Sequence, residues 1–103
     1  MLFRSGVWCA ERGTVMRHMY KYSVSYIDTV IEMPVGAIIR HAGSQRTGHH
    51  LWAEVSNPSS AAREDRIFRV FATGEEIPDG WDWRYTWQDG PYVWHVFEKV
   101  GGV

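Results

Sequence analysis

The chain has 103 residues, a formal net charge of −1 and one cysteine, with 45% of its residues hydrophobic and 15% aromatic. That length holds one domain around one core, and the apolar content excludes a disordered chain. Cys9 alone rules out an intrachain disulfide framework or a cysteine-ligated zinc ribbon, and the balanced charge supplies no whole-molecule field for nucleic acid or an anionic membrane.

Residues 1–18 carry no regular pattern. In 1-MLFRSGVWCAERG-13 the charges of Arg4, Glu11 and Arg12 surround a short apolar patch that lacks the h-region of a signal peptide. No apolar run reaches the roughly 18–20 residues of a membrane-spanning helix. With Met16 and Met19 as alternative starts, residues 1–18 read as an N-terminal extension, 19–100 as a small β domain and 101–103 as a fraying tail.

From Met19 the period is two. Tyr20, Tyr22, Val24 and Tyr26 share one face of 20-YKYSVSY-26, and Lys21, Ser23 and Ser25 the other. A bend at Asp28 leads into 29-TVIEM-33, and 34-PVG-36 predicts a turn. The segments 37-AIIRHAGSQ-45 and 49-HHLWAEVS-56 predict a hairpin, with Leu51, Ala53 and Val55 on one face and Trp52 and Glu54 on the other. Asn57 and Pro58 stop it. Residues 58–65 hold at most one helical turn, too short to persist alone.

The segment 66-RIFRVFAT-73 is apolar on both faces apart from its arginines, which predicts a central strand. After the turn-rich 74-GEEIPDG-80 comes 81-WDWRYTWQ-88, where Trp81, Trp83, Tyr85 and Trp87 fall at alternate positions. Strand geometry predicts that all four rings point one way, Trp83 and Tyr85 into the core and Trp81 and Trp87 at the rim. The 89-DG-90 pair predicts a tight turn into 92-YVWHVFEKV-100. The whole predicts a mostly-β fold: a single antiparallel sandwich or half-closed barrel of about seven short strands, with short connections joining antiparallel neighbours.

From Tyr20 to Glu98 the order of motifs resembles a family of small uncharacterised phage and prophage proteins. The stretches that carry it are 20-YKY-22, 31-IEMPVGA-37, 51-LWAEV-55, 66-RIFRVFATGEEIP-78 and 93-VWHVFE-98, the last two being the most specific. The extension and the tryptophan-rich 79–88 region depart from the pattern. The resemblance implies a viral or prophage origin and lends no catalytic residues. By association it implies a small protein that binds host components, working in the host cell cytoplasm.

The chemistry-bearing residues point away from catalysis. His41, His49 and His50 flank the predicted hairpin, but no thiol or carboxylate stands at ligand spacing, and adjacent His49 and His50 face opposite ways on a strand. No metal or cofactor is expected. Serines are frequent, yet none sits in a G-x-S-x-G elbow and none lies near a histidine in sequence, so no enzyme activity is expected. Exposed Trp with Arg is the composition of interface hot spots, which nominates Trp81, Arg84, Trp87 and Trp8 for a partner contact. The leading expectation is a non-enzymatic phage accessory protein that binds a host or viral protein, with homo-oligomerisation through residues 1–18 or an edge strand. A small nucleotide-like ligand in an aromatic pocket is one alternative. Single-stranded nucleic acid on a face of aromatics and Arg is another, with the near-neutral charge and the lack of a basic cluster against it.

Overall fold

The computed structural model describes residues 15–101. They form seven strands: β1 (Arg17–Val24), β2 (Thr29–Pro34), β3 (Ile38–Gln45), β4 (Gly48–Ser56), β5 (Arg63–Ala72), β6 (Trp81–Asp89) and β7 (Tyr92–Lys99). All pairings are antiparallel, and the strands divide into a three-stranded sheet, β1-β4-β3, and a four-stranded sheet, β2-β5-β7-β6. There is no helix among the described residues, and the arrangement is a sandwich rather than a closed barrel. β1 begins at Arg17, inside the stretch read as an extension.

Period-two patterning accounts for the core. Leu51, Ala53 and Val55 of β4 face Phe68 and Val70 of β5 and Val96 of β7 across the sandwich, and all are buried. β4, β5 and β7 are the interior strands, and β5 carries apolar side chains on both faces as its sequence predicts. Pro34, which has no amide proton to give, falls on the edge strand β2.

Contrary to the expectation that connections join neighbours, four do not: three change sheets, and after β5 the chain passes β7 to reach the edge strand β6. The chain crosses between sheets after β1, after β2 and after β4. Each crossing is held by backbone hydrogen bonds to the other layer or within the turn. Val70 N–H donates to Ser25 O at 2.9 Å, Val35 N–H to Ala62 O at 2.8 Å, and Ala37 N–H closes the 34–37 turn on Pro34 O at 3.2 Å. Gly36 supplies the φ of 86° that this turn needs. Residues 57–61 form a hydrogen-bonded turn instead of a helix, with Asn57 in the left-handed region that asparagine tolerates (φ 48°).

The tryptophan-rich strand departs most from its predicted form. Trp83 pairs with Phe97, but the next pair is Tyr85 with Val96, so Arg84 is the extra residue of a β-bulge. A bulge shifts the face on which every later side chain lands. Trp81 and Trp83 therefore lie on the outer face, while Tyr85 and Trp87 turn inward. Trp87, expected at the rim, is 8% exposed in the core; Trp83, expected in the core, is 56% exposed. The physical cause is Arg84 itself, whose Nε donates to the buried Glu98 Oε1 at 2.9 Å. Pulling that guanidinium inward draws a non-alternating residue into the strand.

Candidate functional site

The outer face of the four-stranded sheet carries the exposed aromatic group. Phe71 points outward from β5 yet is 0% exposed, because the rings of Trp81 (5.7 Å between centroids) and Phe97 (5.3 Å) and the Arg69 guanidinium (4.5 Å) cover it. This second apolar patch supports Trp83, which stands beside Phe97 in register.

Trp83 is held by a chain of side-chain hydrogen bonds. Its indole Nε1–H donates to Thr86 Oγ1 at 2.7 Å. Thr86 Oγ1 lies 2.8 Å from His95 Nδ1, His95 Nε2 lies 2.8 Å from Thr73 Oγ1, and the Thr73 hydroxyl donates to Val93 O at 3.2 Å. An indole nitrogen only donates, and a neutral imidazole offers one donor and one acceptor. The assignment that uses each proton once has Thr86 donating to Nδ1 and Nε2–H donating to Thr73, which makes His95 the Nε2–H tautomer. Beside this chain a cavity of about 190 Å³ is lined by Thr73, Gly74, Glu75, Ile77, His95 and Phe97.

A different polar group closes one end of the core. Trp87 Nε1–H donates to Ser44 Oγ at 2.9 Å, Ser44 Oγ lies 2.9 Å from His49 Nδ1, and Tyr26 Oη lies 2.6 Å from His49 Nε2. The His49 ring also packs against Trp87 and Trp94. Burial lowers the His49 pKa, with Asp89 opposing the shift and His50 adding to it. The expectation that no serine lies near a histidine fails here: Ser44 and His49 are five positions apart, and the hairpin register sets them opposite each other. The signal was the short 46–47 tip, which fixes that register. Ser44 is occupied on one side by Trp87 and on the other by His49, so it ties the two sheets together.

The remaining nominated residues fall as follows. Trp81 lies half-buried over Phe71 on the outer face. Arg84 is paired with Glu98. Trp8 lies outside the described residues. His41 stands opposite Trp52, with ring centroids 5.2 Å apart, away from His49, and His49 and His50 take opposite faces as strand geometry requires. Among the described residues no group of three or more His, Cys, Asp or Glu is placed to hold a metal ion.

Two motif stretches meet in one buried ion group. Arg66 opens 66-RIFRVFATGEEIP-78 and Glu98 ends 93-VWHVFE-98. Arg66 clasps Glu98 with both arms of the fork, at 2.7 and 2.8 Å, and donates a third bond to Ala37 O at 2.6 Å. Burial by itself would raise the Glu98 pKa, but the hydrogen bonds and charges of Arg66 and Arg84 outweigh it and hold the carboxyl below its ordinary value.

Compared with known proteins, residues 16–102 match a family whose description reads "Domain of unknown function (DUF7352)". No curated protein and no solved structure matches the chain.

Proposed function

We propose that this chain, which belongs to the domain family of unknown function matched over residues 16–102, acts by binding a protein partner rather than by catalysis. The observation that carries this reading is Trp83, a large ring 56% exposed and yet fixed through Thr86 and His95. A side chain immobilised before binding saves an ordering cost of about 0.5–1.5 kcal/mol at the moment of contact. Tryptophan and arginine dominate the energetics of protein interfaces, and Trp81 and Arg69 flank Trp83 here. The cavity beside His95 offers a socket for a partner's apolar side chain. The partner is a host or viral protein, and the chain a phage or prophage accessory factor in the host cytoplasm, in keeping with the motif resemblance.

Affinity capture from infected host extract tests this, with wild type, Trp81→Ala and Trp83→Ala as baits. The expected result is one enriched partner that Trp83→Ala loses while its melting temperature stays near that of wild type. A partner captured equally by all three baits, or none at all, refutes the assignment of this face. Sedimentation of wild type separates a second copy of the chain from a foreign partner.

A further inference from the structure

The near-neutral total hides a segregation of charge. The three-stranded sheet and its hairpin tip hold Arg17, Lys21, Arg40 and Arg46 against Glu54 alone. Among the described residues all other Asp and Glu lie in the four-stranded half, its loops and the inter-sheet connections, where they outnumber Arg and Lys. We propose that the outer face of the three-stranded sheet binds single-stranded nucleic acid. This surface lies on the opposite side of the sandwich from Trp83, so the proposal stands apart from the protein-contact reading.

Register sets out the platform. Lys21, Trp52 and His41 form one row across β1, β4 and β3, and Ser23, His50 and Gly43 form the next. Gly43 leaves the space over which the rings lie: a Cβ there would meet His41 Nε2 at 3.4 Å and Trp52 Cζ3 at 3.9 Å. Trp52 is thus a half-buried ring on a sheet face that also exposes Met19 and Ile38 in the neighbouring row, with the buried His50 ring on one side and on the other His41, which packs at the β3 edge against Tyr85 of β6. Every base has a π-face to set against such a ring, so stacking needs no sequence readout.

The cations surround this ring. Lys21 Nζ reaches over the face to the neutral Gln45 Oε1 at 3.0 Å, and neither Lys21 nor Arg46 has a carboxylate partner among the described residues. Arg17 and Arg40 share the single carboxylate of Glu54 from opposite sides, leaving that trio net positive. Thr47 Oγ1, bonded to His50 Nε2 at 2.9 Å, adds a hydroxyl at the Arg46 end. Eight residues of β1 give the face a length of roughly 26 Å and three strands a width of roughly 10 Å, room for a few nucleotides but too narrow a charge array for a duplex. DNA and RNA strands share this chemistry of phosphate and base.

Fluorescence anisotropy of the full chain with fluorescein-labelled oligothymidylate and oligouridylate of about ten nucleotides tests the proposal. Neutralising two to four phosphates predicts an affinity loss of about 7- to 50-fold between about 50 and 200 mM salt. Trp52→Ala is expected to weaken binding about 5- to 150-fold, Trp52→Phe far less. Lys21→Gln with Arg46→Gln, both exposed and safe for folding, is expected to lower the salt slope by about 1.4. Oligouridylate bound more tightly than oligothymidylate assigns RNA; the reverse or equality assigns DNA or either strand. Trp83→Ala binds as wild type. Absence of binding at low salt overturns the proposal. So does binding indifferent to Trp52→Ala, to the double charge variant, or to replacement of the strand by heparin or phosphatidylserine vesicles.

Discussion

Replacing Glu98 by glutamine isolates the buried ion group. Glu98 accepts charged hydrogen bonds from Arg66 at 2.7 and 2.8 Å and from Arg84 at 2.9 Å, and is 6% exposed. Glutamine keeps the shape but removes the charge and turns an N–H₂ toward one set of guanidinium donors. The two arginines are then left without their shared counter-charge in a poorly solvated site. Removing one partner of such a buried pair costs about 3–5 kcal/mol. A domain of this size has about 5–15 kcal/mol in all, so the loss is a large share. For an m-value near about 1.5 kcal/mol/M the urea midpoint falls by about 2–3 M. Replacing Arg66, Arg84 and Glu98 together by apolar side chains is expected to recover much of this, because no stranded charge is then left in the site. The acid side of the curve supplies a second reading. The folded pKa lies below the unfolded one, so the stabilisation is present above the unfolded value and is lost as pH falls through the folded value. Wild type loses stability in that window, and Glu98→Gln loses less. A cost under about 1 kcal/mol at neutral pH refutes the reasoning, since it places the group among solvated surface pairs.

Two further expectations test the bulge and the histidines. Trp87→Ala is expected to cost about 3–5 kcal/mol, and Trp83→Ala no more than about 1 kcal/mol, because the first empties core and the second removes one exposed ring and its hydrogen bond. Equal losses in urea titrations refute the inward and outward split at Arg84. Burial holds the pKa of both His49 and His50 below 6.5, with Asp89 opposing the shift at His49 and Lys21 adding to it at His50. A base with a depressed folded pKa binds fewer protons folded than unfolded, so stability falls as pH drops from about 6.5 toward the folded values. Melting temperatures at about pH 7 and pH 5 are expected to differ for wild type and to differ less for His49→Gln, which leaves the His50 contribution in place; a wild-type melt that does not change over this interval refutes the linkage.

Much of the architecture is local and therefore readable along the chain. Alternation in 20–24, 49–56 and 66–72, turn chemistry at 34–36 and 89–90, and the length of each apolar run place all seven strands within a few residues of their observed ends. The inner face of β4 follows directly from Leu51, Ala53 and Val55, because a half-buried strand has only one way to hide three apolar side chains. The opposed faces of His49 and His50 follow from the same pleat.

The site required information held between distant segments. Trp83 and Trp87 exchange their expected environments because a residue between them finds its counter-charge on the neighbouring strand; alternation counts positions and carries no record of an inserted one. Arg66 and Glu98 are 32 positions apart and become partners only when β5 and β7 lie side by side. Ser44 meets His49 through pairing register, and Trp87 reaches Ser44 only by the stacking of one sheet on the other. The separation of Arg17, Lys21, Arg40 and Arg46 from most of the acidic side chains is invisible to a summed charge, since a sum has no direction. Side-chain character and spacing are one-dimensional and specify strands; which strands become neighbours, and so which charges and rings meet, depends on burying both faces at once and emerges only in three dimensions.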